Sequence, residues 1–491
     1  MLDRHGEEQT VAGTAGNTDI NGGPVRQVRL HSDEAGSVDW EPLYPGPQPS
    51  VMPARAQDVD LFGNVLPEPA TKSQRTLNTT NTPEDGVFGW FKYVQDFPGD
   101  FATAWLRKLV PVGGFVWEPF CGSGTTPVAA QLLGFRCQAY DINPFMIDVA
   151  RAKLDWDIDS AQLQEQGLTV ADRAEQTLSI EPETAVRIKW SEYEFLRKDS
   201  GVDYPGNDDK LKKWISPQVL TRSQALLREV NAVADERCRR FLRLAAAQIL
   251  IPASNMTFRP NICYESKATS DYPVVRSFRT RLLQMLSDYK TVSNVGYRTA
   301  AVDYGDARSD GPNEADVIFT SPPYPNDMEY VHQTRLELAL LNYVSSKNQL
   351  TDLKKKMISS SVKLVYRENE WQKRLGLEID GIPALYDCLA DTLKGRNWGW
   401  NAADMVAQFF GGMRVVCANW HKRLRAGGIA AVVIGDSAFN GVPVKSDTLL
   451  ATTAHREGFE IEGIEPFRAR WNPKHKIELR ESVVVLRKGR K

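Results

Sequence analysis

Short apolar runs, each ending in polar or glycine-rich residues, alternate along this chain with segments whose apolar positions repeat every three or four residues. The runs at 112–117, 136–142, 298–302, 316–319 and 429–434 are too short for helices and are bounded by turn residues, so they read as strands. Helical spacing marks 88–109, 144–153, 220–251 and 402–425, and Pro127 opens a further helix over 127–133. Strands that alternate with helices predict an α/β fold built on a mostly parallel, doubly wound sheet, as in Rossmann-like domains. Two late runs, 459–464 and 481–486, are expected to add an antiparallel pair at one edge.

The regular pattern is interrupted twice, and these breaks set the expected organisation. Residues 1–75 are rich in Gly, Pro, Ser, Thr and charge without a sustained period, which predicts a disordered arm with a docking piece near 59–66. A cofactor-binding half follows at 76–158, then a helical insertion at 159–292 with an irregular basic stretch over 255–281. A catalytic strand and turn at 293–344, a second insertion at 345–400 and the C-terminal part of the sheet at 401–491 complete the chain.

Charge and composition narrow the functional classes. The formal net charge of −2 over 491 residues excludes a global polycation, so any nucleic-acid contact must come from local basic surfaces. The cysteines at 121, 137, 238, 263, 388 and 417 form no CxxC pair and the histidines show no paired ligand spacing, which argues against a disulfide framework and against a metal site. No run approaches the roughly 18 apolar residues that span a bilayer, so a cytoplasmic protein without a membrane partner is expected.

Two motifs carry the chemistry. Glu118-Pro119-Phe120-Cys121-Gly122-Ser123-Gly124-Thr125-Thr126 joins a strand to a helix through bare backbone, the geometry that admits a nucleotide-like cofactor. It lacks a phosphate-loop lysine and the third glycine of a dinucleotide fingerprint. Asp141, followed by Ile142, ends the next strand, where a carboxylate accepts both hydroxyls of a ribose; the competing reading is a helix cap ahead of Pro144. Asp306 and Ala307 follow a later strand and suit an adenine amine. Three acids around one glycine turn repel a pyrophosphate and suit a sulfonium that carries an amino acid, so S-adenosylmethionine is the cofactor expected.

The second motif, Thr320-Ser321-Pro322-Pro323-Tyr324, emerges at the end of a predicted strand. An exocyclic base amine is a poor nucleophile because its lone pair is delocalised into the ring. The Ser321 oxygen and the Pro322 carbonyl can accept its two hydrogens and relocalise that pair, Pro323 stiffens the turn, and Tyr324 offers a face to a base swung out of its stack.

These segments resemble the amino-methylating DNA methyltransferases, whose catalytic signature is [DNS]-P-P-[YFW] and whose cofactor signature is DPFxGxGT, with Glu118 standing in place of the usual Asp. Lys92-Tyr93 through Phe97-Pro98, Asn326, Tyr330, Gly427-Gly428 and Val433 to Ser437 add to the likeness, which covers 88–155, 297–344 and 402–488. The resemblance implies methyl transfer to double-stranded DNA, at N4 of cytosine more often than N6 of adenine for the serine form, and a place in restriction-modification beside a cognate restriction or defence partner. It also implies target recognition by the insertion between the motifs, where Arg259, Lys267, Arg276, Arg279 and Arg281 are candidates for phosphate contact. A second basic stretch, Lys354-Lys355-Lys356 with Lys363 and Arg367, lies near Trp398 and Trp400. An RNA or tRNA base methyltransferase and an inactive cofactor-binding subunit of a modification complex remain open.

Overall fold

A computed structural model describes residues 31–32, 38–39, 81, 83–180, 214–259, 261–264, 271–293, 299–392, 401–472 and 476–490. The expected arm lies outside these residues apart from a two-residue ladder of His31–Ser32 with Val38–Asp39. Lys267, Trp398 and Trp400 also lie outside them.

The centre is a sheet of seven strands: β1 (Phe115–Glu118), β2 (Arg136–Asp141), β3 (Ala300–Tyr304), β4 (Ala315–Thr320), β5 (Leu424–Gly435), β6 (Phe459–Asn472) and β7 (Ile477–Lys488). Their spatial order is β6-β7-β5-β4-β1-β2-β3. All neighbours from β5 to β3 pair in parallel, and β7 runs antiparallel to both β5 and β6. The order reverses at β1 and β4, which leaves a crevice at their carboxyl ends.

Alternation along the strands builds a core on each face. Val116, Val317, Phe319, Val433 and Val483 enter one cluster, while Trp117, Ile318, Val432, Ile434 and Val484 enter the other. On the first face lie α1 (Gly99–Leu109), α2 (Thr125–Leu132) and α3 (Pro144–Leu154). The insertion adds α4 (Ser160–Ile180), α5 (Pro217–Asn231), α6 (Glu236–Ala253) and α7 (Val274–Val292) to the same cluster. It is therefore continuous with residues 83–158: Trp90 meets Phe241 edge-on at 5.1 Å and donates to Asp288 at 3.0 Å.

Several boundaries differ from the sequence expectation for local reasons. Much of the stretch expected to be irregular is regular: α7 begins at Val274 because Val274, Phe278, Leu282, Met285 and Tyr289 form one buried helical stripe, and a hairpin, Met256–Arg259 with Asn261–Tyr264, precedes it. The α2 helix starts two residues before Pro127, since Gly124 in the left-handed region (φ 91°) turns the chain and a proline in the first turn removes a donor that would lack a helical partner. Strand β5 begins at Leu424, ahead of the glycine pair: Leu424 pairs with Ala315 and Ile429 with Val317, so Gly427 (φ 77°) and Gly428 sit in a bulge.

Helix α8 (Lys347–Lys356) sends Leu350 and Leu353 into the first cluster, and the second face is covered by α9 (Glu370–Gly376), α10 (Ile382–Asp391), α11 (Ala402–Arg423) and α12 (Ser446–Arg456), of which α11 is the most buried. Helices α9 and α11 cross with backbones in contact: a Cβ on Gly411 would stand 1.7 Å from the Gln372 carbonyl oxygen. Gly411→Ala is expected to cost about 1–3 kcal/mol through overpacking, more than the helix-propensity gain of up to about 1 kcal/mol. Gly412→Ala, whose new Cβ would stand 3.2 Å from the mobile end of the Gln372 side chain, is expected to be tolerated. Urea midpoints of the two variants check this, and equal midpoints would refute the close crossing.

Candidate active site

Strand β1 delivers Glu118 to its carboxyl end, and the chain then turns through Gly122 (φ 50°) and Gly124 (φ 91°) into α2. Gly124 is required by packing as well as by φ, because a Cβ there would stand 2.8 Å from Ala150 Cβ on α3. The turn is pinned to the neighbouring strand: Cys121 N donates to Tyr140 O at 2.9 Å, and Gly122 N donates to Asp141 Oδ2 at 2.8 Å. Asp141 Oδ1 accepts from Asn143 N at 2.8 Å. Asn143, whose side chain accepts from Phe145 N, is the cap of α3, so Asp141 does not serve that purpose.

The Glu118 carboxylate accepts from Phe120 N at 2.8 Å and from the Thr320 hydroxyl at the end of β4. It thereby ties the glycine turn to the proline turn. Burial pushes its carboxyl up to about 7, against the opposing bonds from Thr320, Phe120 N and Thr126.

Behind the glycine turn a polar chain runs from the buried Lys153 and Ser123 to the half-buried Asp96. Lys153 on α3 donates to Phe88 O at 3.0 Å and to Ser123 Oγ at 3.1 Å, and Ser123 donates to Asp96 Oδ2. Burial pushes Asp96 up to about 6, opposed by the Lys153 charge and the Ser123 bond, and lowers Lys153 to about 8, opposed chiefly by Asp96. The Asp96 carboxylate hangs over the turn: a Cβ on Gly122 would be 3.9 Å from Asp96 Oδ1.

The proline turn leaves β4 at Ser321. Tyr324 N donates to the Tyr330 hydroxyl at 2.9 Å, and the Ser437 hydroxyl donates to Pro325 O at 2.7 Å. The Tyr324 ring lies across the end of β5, where a Cβ on Gly435 would reach 2.9 Å from Cε2. Ser321 Oγ and the Tyr324 hydroxyl are 3.5 Å apart. Burial raises the phenols of Tyr324 and Tyr330, so both stay neutral.

These parts wall one cavity of about 370 Å³. Glu118, Phe120, Gly122, Thr125, Asp141, Ile142, Asp306, Ala307 and the whole Ser321 to Tyr324 turn line it, so residues about 200 apart in sequence share one space. Ser123 and Gly124 do not reach the cavity; Ser123 is fully buried in the polar chain and Gly124 packs on α3. The Asp306 carboxylate is clamped by the Arg308 guanidinium, with Nε at 2.9 and 3.1 Å and Nη2 at 2.6 Å. Asp96, Lys356, Phe467, Arg468, Arg470 and Glu481 also line the wall without having been singled out as site residues. Asp96 falls within the 92–98 segment and Lys356 within the second basic stretch, while Phe467, Arg468, Arg470 and Glu481 carry no motif beyond the Arg-x-Arg spacing in a late strand.

Two of the basic residues named in the insertion are engaged with partners, and Arg276 is exposed. Arg279 pairs with Asp172 at 2.5 Å and Glu175 at 3.0 Å, and Arg281 donates to Gln284. In the second stretch Lys354 pairs with Glu329 at 2.7 Å and Lys355 with Glu368 at 2.8 Å. No group of acidic, histidine or cysteine side chains suited to a metal occurs among the described residues, and no helix among them is long and apolar enough to cross a membrane.

The buried Glu118 has a stability signature. Its folded-state value of about 7 exceeds the ordinary 4.5, so the native chain holds this proton more tightly than the unfolded chain does. The resulting stabilisation is complete below pH 4.5 and lost as pH rises to 7. Glu118→Gln is expected to remove that loss, moving the stability difference from wild type by up to roughly 3 kcal/mol in the variant's favour across this window. Denaturant titrations at stepped pH check it, and parallel pH profiles would refute it.

No family model matches the chain. Over 154 residues it is 26% identical to the type II methyltransferase M.AvaI of Nostoc sp., and equally to that of Anabaena variabilis; the match covers 30% of this chain and 32% of each relative. The chain thus aligns with about a third of the length of these curated relatives. Among solved structures it is similar at 12% identity and a TM-score of 0.30 to the rRNA methyltransferase aviRa of Streptomyces viridochromogenes, over 85% of this chain and 96% of that one. It is similar at 11% identity and a TM-score of 0.26 to a TehB-like SAM-dependent methyltransferase of Corynebacterium glutamicum, over 80% and 89% of the two chains.

Proposed function

We propose that this chain is an S-adenosylmethionine-dependent methyltransferase that methylates an exocyclic base amine in DNA, N4 of cytosine in the first instance. The observation that carries this reading is the single cavity shared by the glycine turn and the Ser321 to Tyr324 turn. Its volume falls within the ordinary range for small-molecule sites. The partial similarity to a type II methyltransferase agrees with it.

The donor set fits the cofactor. Asp141 uses one lone pair on each oxygen for the Gly122 and Asn143 amides and keeps others for ribose hydroxyls. Asp96, Asp141 and Glu118 together suit a cationic ligand, and Asp306 with Ala307 forms the wall assigned to the adenine. The bound cofactor supplies an electrophilic methyl group on a sulfonium. The chain's own part is to make the amine nucleophilic. Ser321 Oγ and the Pro322 carbonyl accept the two amine hydrogens, drawing the nitrogen toward tetrahedral geometry and stabilising the positive charge it acquires. Tyr324, held by Tyr330 and the end of β5, stacks against the base and limits its tilt. A neutral phenol suits this stacking role.

Ser321→Ala is expected to cut methyl transfer by roughly 100-fold or more, the scale for losing one preorganised partner, with cofactor affinity nearly unchanged. Single-turnover transfer from labelled cofactor, with calorimetry for binding, separates these quantities; full activity in the variant would remove Ser321 from the chemistry. Asp141→Ala is expected to weaken cofactor binding by roughly 1.5–3 kcal/mol, the range for hydrogen bonds to a charged group. Unchanged calorimetric affinity would overturn the ribose assignment. Sequencing that separates 4-methylcytosine from 6-methyladenine in DNA from expressing cells names the base, and transfer to RNA alone would replace DNA as the substrate.

A further inference from the structure

Strands β6 and β7 outrun the sheet. The β7 strand pairs with β5 only from Glu481 to Arg487, while Ile477 to Arg480 pair with β6 alone, opposite Ala469 to Asn472. The pairing with β5 stops at Gly435, the carboxyl end of that strand, so the free ribbon projects past the edge on which the cavity opens. Alternation puts Arg468 and Arg470 on one face, and both line the cavity. They share a single carboxylate, Glu481, at 3.5 and 3.6 Å. Half of the Arg470 side chain is exposed, and Arg468 Nε is buried without a hydrogen-bond partner among the described residues. At the tip Lys476 is exposed and Trp471 is 63% exposed, against the usual preference for burying so large a ring. Lys92 is exposed beside the wall residue Tyr93, and Lys356 belongs to the wall itself. By contrast, no described residue of the 159–292 insertion lines the cavity.

From this we infer that the β6–β7 ribbon is the surface on which the polynucleotide backbone next to the target base is held. Arg470 and Arg468 take phosphate oxygens, while Trp471 lies on the opposite face of the ribbon by the same alternation and serves as a comparison. Two guanidinium groups against one carboxylate leave a positive excess at the cavity mouth of a chain whose net charge is −2, which is the local basic surface that nucleic-acid binding needs here. Planar guanidinium forks match phosphate geometry. The inference rests on the proposed base-methylating reading for its substrate class and is tested apart from it.

The test measures binding of a fluorescein-labelled DNA duplex by anisotropy across a salt series, for wild type, Arg470→Glu, Trp471→Ala and Arg276→Glu, with cofactor affinity by calorimetry on each. Arg276 is an exposed residue of the insertion and serves as a second comparison. Arg470→Glu is expected to weaken duplex binding by about 10-fold or more and to lower the slope of log affinity against log salt by about one. Trp471→Ala and Arg276→Glu are each expected to cost less than about 2-fold, and cofactor affinity is expected to hold in all of them. That pattern supports the inference even if no methyl transfer is found, a result that would instead defeat the enzymatic reading. No duplex binding by wild type, a loss confined to Arg276→Glu, or an Arg470→Glu variant that loses cofactor and keeps duplex would each overturn it.

Discussion

The bond from Thr320 to the buried Glu118 carboxylate joins the two halves of the site. Strands β1 and β4 are adjacent and parallel, but their main-chain pairing ends before either turn begins. Beyond it, Glu118 Oε1 receives Phe120 N from one turn and the Thr320 hydroxyl from the other. A carboxylate in this position is costly to bury, and its elevated pKa reflects that cost. What the arrangement secures is a common frame for a glycine turn and a proline turn that belong to different parts of the chain.

Behind that frame the interior is more polar than a doubly wound core requires. The buried Lys153 and Ser123 form a continuous polar chain with the half-buried Asp96, from α3 to the segment ahead of α1. Opposite charges joined through a hydroxyl offset part of their desolvation and fix the segment over the glycine turn, at a net stability that buried pairs rarely improve. Ser123 therefore matters to the site through Asp96, although it does not reach the cavity.

The two insertions play different structural parts. The first adds helices to the core on one face, tied by Tyr289, whose hydroxyl donates to Ile158 O at 2.8 Å, and by Arg237, which grips Asp155. The second packs α9 against α11 on the other face and brings Met357 and Ile358 to the cavity wall. The ends of the sheet divide in the same way: β3 closes one edge, while β6 and β7 extend beyond the other and overhang the opening.

The order of the sheet strands, the reversal of direction at the glycine turn and the proline turn at the end of β4 were legible in the sequence. Each is written in local pattern: apolar runs of strand length, bare backbone at Gly122 and Gly124, a proline pair ahead of Tyr324. Local pattern also misled at the margins. A basic stretch concealed the helical stripe of α7, and the glycine pair marked a bulge within β5. Only the tertiary structure decided which charges are spent on partners and which face the cavity. Arg279 and Arg470 are alike in composition, yet the first is bound by two carboxylates on a packed helix and the second stands half-exposed on a strand that overruns its sheet. Sequence spacing does not encode that difference, because it depends on contacts between segments far apart in the chain.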